Sequence, residues 1–246
     1  MSARRDVGYC SVEDVKTVLQ EQQLTGPTNE TIVEGHILGE SEWIQEDTNR
    51  HWYDPDAADD ALVGNAPLTH TTDELDIAAS PHSGNGQLFR SDDGGRSEPR
   101  YPLRHSGPYT AVVPQRRDVQ ELTELLVRDA AGDYVDFVSS PEYEEGRGED
   151  YYLQVDDSTG QTRLYLHVGS LPPLVNYDAA VVATYEYGVD RIPDTVRQAA
   201  ASLAGSEVLR EDTQITGVPD DGQAVSVETR AEELYERGLR LLEIHR

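Results

Sequence analysis

Few residues in this 246-residue chain are typed and spaced to do chemistry. The densest group of ligating side chains is Asp54, Asp56, Asp59 and Asp60, crowded as in a calcium loop. The EF-hand register fails, because the sixth position is Asp59 where glycine makes the turn and the twelfth is Asn65 where a bidentate glutamate closes the shell. A solvated acidic loop is the simpler reading, with weak cation binding as the other. The seven histidines are His36, His51, His70, His82, His105, His167 and His245, and no two fall two, three or four residues apart. A zinc site would need convergence from distant parts of the chain. His167 sits in an apolar strand and reads as a packed or hydrogen-bonded residue. Cys10 is the only cysteine, which excludes an intrachain disulfide and a four-cysteine zinc site. Placed just before a helix, it reads as a small core residue. Gly84-Asn85-Gly86 lacks the third glycine and the preceding strand of a dinucleotide loop, and there is no GxSxG, P-loop or HExxH. Carboxylates are so abundant that an acid/base pair discriminates nothing. We therefore assign no catalytic, cofactor or metal residue.

Charge says more. The formal net charge is −27, and of 20 basic residues only Lys16 is a lysine. Carboxylates keep a surface hydrated in concentrated salt, where self-repulsion is screened over about 3 Å at 1 M. An acidic, lysine-depleted chain reads as halophilic, from a haloarchaeon or one of its viruses. Such a surface argues against wrapping duplex DNA, which needs clustered Lys and Arg. Arg116-Arg117 and the Arg237, Arg240, Arg246 set are local exceptions, and the latter complement a helix dipole. The segment MSARRDVGYC has no apolar core, so it is no secretory signal. No run approaches the ~18 apolar residues of a membrane span. The expectation is a soluble protein made in the cytoplasm, with no membrane partner.

The elements alternate clearly in places. Residues 11–24 read as a helix with a capping box at Ser11 and Asp14, and with Val12, Val15 and Leu19 on one face. Gly26-Pro27 ends it, and a second helix starts from Thr28 or Asn29 with Val33, Ile37 and Ile44 on its apolar face, flanked by Ile32 and Trp43. Residues 53–108 are polar and turn-rich, a surface excursion with one or two short strands. Strands are expected at 109–113, 122–128, 133–138, 150–155, 162–168 and 179–187, with turns at Ala131-Gly132 and Ser158-Thr159-Gly160; residues 114–126 also fit a short helix. In 179–187, Tyr185 and Tyr187 extend a period-two pattern that stops at Gly188. Pro193 and Asp194 open a helix whose face is Val196, Ala199, Ala200 and Leu203. A loop through Gly217, Pro219 and Gly222 leads to a last helix capped by Ser226, with Val227, Ala231, Leu234, Gly238 and Leu241 on one face. The expected fold is α+β: a helical bundle from the N- and C-terminal helices with an inserted antiparallel β-domain. Its divisions are 1–52, a helical hairpin; 53–108, a polar insertion; 109–190, the β-domain; and 191–246, helices packing on the first hairpin.

Thirteen tyrosines stand against two phenylalanines and two tryptophans, and Tyr143, Tyr151, Tyr152, Tyr165, Tyr177, Tyr185 and Tyr187 lie in or near the β region. Two uses fit them: cross-strand packing with the hydroxyls in water, or a protein–protein surface.

The segment VATYEYGVDRIPDTVRQAAASLA, an aromatic strand ending in Tyr-x-Tyr-Gly and then an alanine-rich helix, resembles the end of the β-domain in head–tail connector proteins of tailed viruses. The opening SVEDVKTVL helix and a second helix running to Trp52 are similar to the start of that family's pattern. The resemblance covers Val7–Trp52 and Leu122–Leu209; the long polar excursion at 53–108 departs from it. It implies a head-completion adaptor, a structural virion protein at the head–tail junction. Copies, twelve by the family's habit, would form a ring under the portal protein, extend the DNA channel and dock the tail or a stopper protein. Genomic DNA would pass an acidic wall without specific binding. Tyr185, Tyr187, Leu234, Leu241, Leu242, Ile244 and Arg246 are the expected protein-interface residues. The competing readings are a soluble halophilic enzyme and a cell-surface or host binding module.

Overall fold

In the computed structural model the elements run, in chain order, α1 (Val12–Val18), α2 (Pro27–Thr48), β1 (Leu68–Thr71), β2 (Phe89–Asp92), β3 (Arg96–Pro99), β4 (Tyr109–Val112), β5 (Val119–Arg128), β6 (Tyr134–Asp136), β7 (Tyr151–Val155), β8 (Thr162–His167), β9 (Val181–Tyr187), α3 (Asp194–Glu211), β10 (Val218–Asp220), β11 (Gln223–Val225) and α4 (Val227–Leu242), closed by a short 3-10 turn, Glu243–His245. The structure describes residues 7–19, 27–59, 61–72, 74–77, 89–92, 96–99, 109–129, 131–171, 180–211, 218–220, 223–225 and 227–246. The expected features at Gly26, Gly84-Asn85-Gly86, Tyr177, Gly217, Gly222 and Ser226 lie outside them. The class is α+β, with helices from both ends of the chain and an antiparallel β region inserted between them in sequence. Two units divide the chain: residues 1–67 with 188–246, and residues 68–187.

The helical unit is organised by α3. Every residue from Ala199 to Ser206 is buried. Eight consecutive residues make more than two full turns, so the helix is covered all round rather than along the one face that its apolar spacing predicts. It packs against α1, α2 and α4. Its small side chains make this possible, since Ala, Ser and Gly let neighbouring backbones approach. Gly205 lies in ordinary contact range of Leu19 and Leu234, whereas a Cβ built on Gly238 of α4 would come 2.7 Å from Leu203 Cγ and 3.3 Å from the Ala199 carbonyl oxygen. α2 buries Val33, Ile37 and Ile44 against this core. Its buried polar positions are satisfied: Ser41 Oγ accepts from the Tyr9 amide at 2.9 Å, and Thr48 donates to the Ile44 carbonyl at 2.7 Å. The capping box forms as expected, with Ser11 and Asp14 bonding each other's backbone. α1 ends at Val18, short of residue 24, and Pro27 is the first residue of α2 instead of the breaker between helices. Proline suits that place because the first helical N–H has no acceptor within the helix. The polar stretch contributes to this unit too: Leu62 and Val63 pack on its core, and the Gly8 amide donates to the Leu62 carbonyl at 2.8 Å. Where a loop is expected after α3, β10 and β11 pair as a small hairpin.

The β unit contains a four-stranded antiparallel sheet in the order β1-β9-β5-β6 and a three-stranded one in the order β4-β8-β7. β2 and β3 pair as a separate hairpin. Both larger sheets feed one core, including Val112, Leu125, Val127, Leu164, Leu166, Val181, Ala183 and Tyr185. β9 alternates without fault: Val181, Ala183, Tyr185 and Tyr187 are buried and Val182, Thr184 and Glu186 are half-exposed. β5 does not. Its inward residues are Val119, Leu122, Leu125 and Val127, and its register against β9 shifts between Val119 and Glu121 and again between Leu122 and Glu124. Each irregularity inserts one extra residue, so the inward step becomes three. Residues 114–126 therefore hold no helix. β1 arises inside the polar stretch because His70 and Thr71 pair with Tyr185 and Thr184. Gly132 and Gly160, both at positive φ, make the β5–β6 and β7–β8 turns as their sequence suggests.

Two substitutions around α3 should have opposite signs. Gly238→Ala drives a methyl into Leu203 and is expected to cost about 1–2 kcal/mol net, overpacking outweighing the better helix propensity of alanine. Ser202 Oγ is buried with no hydrogen-bond partner among the described residues, so Ser202→Ala should raise stability by about 1 kcal/mol. Denaturant midpoints of both variants against the parent check the pair.

Candidate functional site

The junction after β9 begins with a glycine that the backbone demands. Gly188 has φ +144°, and a Cβ there would lie 2.9 Å from His51 Cδ2 and 3.2 Å from the Tyr53 ring. Beyond it the chain pairs with the end of the α2 segment: the Val189 amide donates to the His51 carbonyl and the Tyr53 amide to the Val189 carbonyl, both at 3.0 Å. His51 is fully buried there. Its Nε2 stands 3.2 Å from the Ala66 carbonyl, which can only accept, so Nε2 carries the proton and Nδ1 accepts from the Tyr9 hydroxyl at 3.1 Å. Burial pushes the imidazole down to about 4. Tyr9 meets Trp52 edge-on at 5.6 Å, Tyr53 stacks on His51 at 5.9 Å, and His245 meets Trp52 at 5.5 Å while bonding Thr195 Oγ1 at 2.8 Å. Cys10 lies in the same core, and burial, reinforced by Asp14, pushes its thiol far up. A thiol held protonated is no nucleophile. The arrangement is a polar-aromatic knot that ties α2, α3 and the last turn together.

The β unit brings together a serine, a histidine and an aspartate that sequence spacing did not mark as a group. Ser170 donates its hydroxyl to Asp150 Oδ1 in a short bond, and His167 Nδ1 lies 3.4 Å from Ser170 Oγ. The order of groups is wrong for acyl transfer, which needs the imidazole between the hydroxyl and the carboxylate. His167 Nδ1 also accepts from the Gly169 amide at 3.2 Å, and Asp150 Oδ2 accepts from the Glu144 amide at 2.8 Å. The cluster fastens the loops that flank β7 and β8.

Most tyrosines belong to the interior. Tyr185 is wholly buried; its hydroxyl accepts from the Arg116 amide at 3.1 Å, and burial pushes it up to about 12. Tyr187 is buried with the Arg116 guanidinium 5.8 Å from its ring. Tyr152 stacks on Tyr165 at 4.8 Å and meets Tyr109 edge-on at 5.1 Å. The Tyr109 hydroxyl donates to the Glu149 carbonyl at 2.7 Å and accepts from the Gly148 amide. Its bonds go to backbone, where packing alone would leave the hydroxyl in water.

Of the expected interface residues, Tyr185, Tyr187, Leu234 and Leu242 are thus packed within their own unit, and Leu241 is partly buried. Ile244 is 73% exposed. Arg246 is exposed and donates to Asp47 Oδ2 at 2.6 Å. The acidic loop is ordered by its own turns: Asp54 accepts from the Asp56 amide and Asp59 from Asn65. Among the described residues no three His, Cys, Asp or Glu are placed to hold a metal ion, and no helix is long and apolar enough to cross a membrane. One hollow in the helical unit, of about 440 Å³, stands out on so acidic a chain because Arg197, Arg230 and Arg237 line it, with Asp14 and Asp194 at its wall.

No protein-family model matches the chain, and no curated protein does. Among solved structures, the chain is similar to one from the neck of an empty GTA particle computed with C6 symmetry, at 14% identity and TM-score 0.43, over 91% of this chain and 87% of that one. It is also similar to a chain from the neck of a native GTA particle computed with C12 symmetry, at 14% identity and TM-score 0.38, over 91% and 86%. Both are neck components of gene transfer agent particles.

Two measurements check these assignments. His51 titrates near 4 when folded and near 6.5 when unfolded, so the unfolded chain binds the extra proton between those values. Its contribution is complete above about pH 6.5 and is lost as pH falls toward 4, on the order of 2–4 kcal/mol in all. Between pH 6.5 and 5 the parent should lose more stability than His51→Gln; equal losses would show that the imidazole is not held neutral. A fluorophosphonate probe, which labels activated serines, should leave Ser170 unmodified, and mass spectrometry reads the result.

Proposed function

We propose that this chain is a structural adaptor of the head–tail junction in a tailed, virus-like particle of a high-salt host. It works by assembly and does no chemistry of its own. Copies form a ring beneath the portal, continue the channel through which DNA passes, and offer a face to the tail. One observation supports the reading: the chain whose motif order resembles the connector family has the α+β organisation expected from its element order. Helices from both chain ends make one unit, a β-domain is inserted between them, and Tyr-x-Tyr-Gly forms the junction, with Gly188 sterically required. The acidic surface suits a channel wall, since phosphate finds no cluster of basic partners there. The arrangement of Ser170, His167 and Asp150 speaks against the hydrolase alternative.

The test is the mass of the full chain in molar salt, by light scattering and negative-stain microscopy, alone and with the portal protein of the same particle. Closed rings are the expected product. A persistent monomer that ignores the portal, or turnover of any substrate, would sink the proposal.

A further inference from the structure

α2 has an outward face that none of the described residues covers. Ile32, Gly35, Gly39 and Trp43 recur at steps of three, four and four, which makes one stripe along the helix. The stripe points away from the buried Val33, Ile37 and Ile44. Ile32 is 46% exposed and Trp43 37%. A Cβ on Gly35 or Gly39 would meet no atom of the described residues within 4 Å beyond its own helix backbone. Glycine is among the poorest residues for an exposed helix interior, so folding of this chain gains nothing from either. What glycine offers is room for another backbone to come close, here between an aliphatic and an indole anchor.

Charge indicates what comes. α2 carries Glu30, Glu34, Glu40, Glu42, Glu46 and Asp47 and no Lys or Arg, and Glu42 and Glu46 border the stripe. The complementary feature is the hollow where Arg197, Arg230 and Arg237 outnumber Asp14 and Asp194. Arg230 reaches Glu233 at 3.3 Å and Arg237 reaches Gln198 at 3.5 Å, while the Arg197 side chain makes no hydrogen bond among the described residues. We infer that the Ile32–Gly35–Gly39–Trp43 face of one copy docks on the arginine-lined hollow of a second copy. The inference rests on the ring reading and names the two surfaces that would build it. The surfaces differ, so the contact is heterologous and repeats head to tail, as a closed ring requires. In molar salt, long-range attraction is screened, but short charge-assisted bonds between guanidinium and carboxylate in a desolvated contact persist.

The experiment uses the full chain. Cys10 is buried, so an introduced thiol is the only reactive one. Glu46→Cys, at the edge of the stripe, mixed with Thr17→Cys, at the rim of the hollow, should give a cross-linked heterodimer, and each variant alone should not cross-link. In parallel, Gly35→Ala/Gly39→Ala should raise the thermal midpoint of the monomer, because alanine favours helix, yet raise the concentration needed for assembly at least 10-fold. A merely structural role for these glycines cannot move the two readouts in opposite directions. Glu42→Arg with Arg237→Glu should recover part of the assembly that Arg237→Glu loses. If the parent forms rings and the alanine variant assembles equally well without the mixed cross-link, this inference falls and the adaptor reading stands. If Glu46→Cys cross-links to itself, the contact is isologous and the inference falls. If the parent neither assembles nor cross-links at any concentration, with or without portal, both fall.

Discussion

Burial of α3 on every side is the constraint on which the helical unit depends. A helix can be enclosed by α1, α2 and α4 only if its side chains are small, and Ala199 to Ser206 provide that with Leu203 as the single large member. Small side chains release little hydrophobic free energy each, roughly in proportion to the area they remove from water. The stability of the unit therefore comes from how closely backbones approach. That places the burden on shape: Gly238 has to be bare for Leu203 to fit. The two buried serines of α3 have no hydrogen-bond partner for their hydroxyls among the described residues, so packing outranks polar satisfaction at the centre of this unit.

The same economy governs the polar groups outside α3. His51 is kept neutral by its burial, against the pull of the Ala66 carbonyl, and both its nitrogens are taken up by bonds to Ala66 and Tyr9. The Tyr185 and Tyr109 hydroxyls are spent on backbone amides and carbonyls. Groups that elsewhere would be poised for proton transfer are used here as internal fasteners, and the large unspent features are faces: the α2 stripe, Ile244 and the arginine-lined hollow. A chain of this kind converts its polar residues into rigidity and leaves recognition to its surface.

Much of this was legible in the sequence, and what was hidden was hidden for physical reasons. β9 was readable because it holds one period across its whole length, and α3 because Pro193 opens it and its apolar spacing holds from Val196 to Leu203. The α+β order followed from them and from the capping box at Ser11. β5 was obscured by its two register shifts, because inward residues three apart, Val119, Leu122 and Leu125, imitate the spacing of a helix. β1 was hidden because its residues, Leu68 to Thr71, gain strand character only from β9 beside them. Tyrosine counts could not say which way each ring points, so Tyr185 and Tyr187 suited a surface or a core equally. The Ser170 cluster and the arginine-lined hollow are assembled from distant segments and leave no local mark.

The topology also dictates timing. α3 is enclosed partly by α4, which follows it in the chain, and partly by α1 and α2, which precede the whole β unit. Contacts of such long sequence separation form late because loop closure must precede them. The β unit lies within one continuous stretch, residues 68–187, and pairs its strands without the helices. Closure of the helical unit is thereby the step that longest leaves apolar surface uncovered.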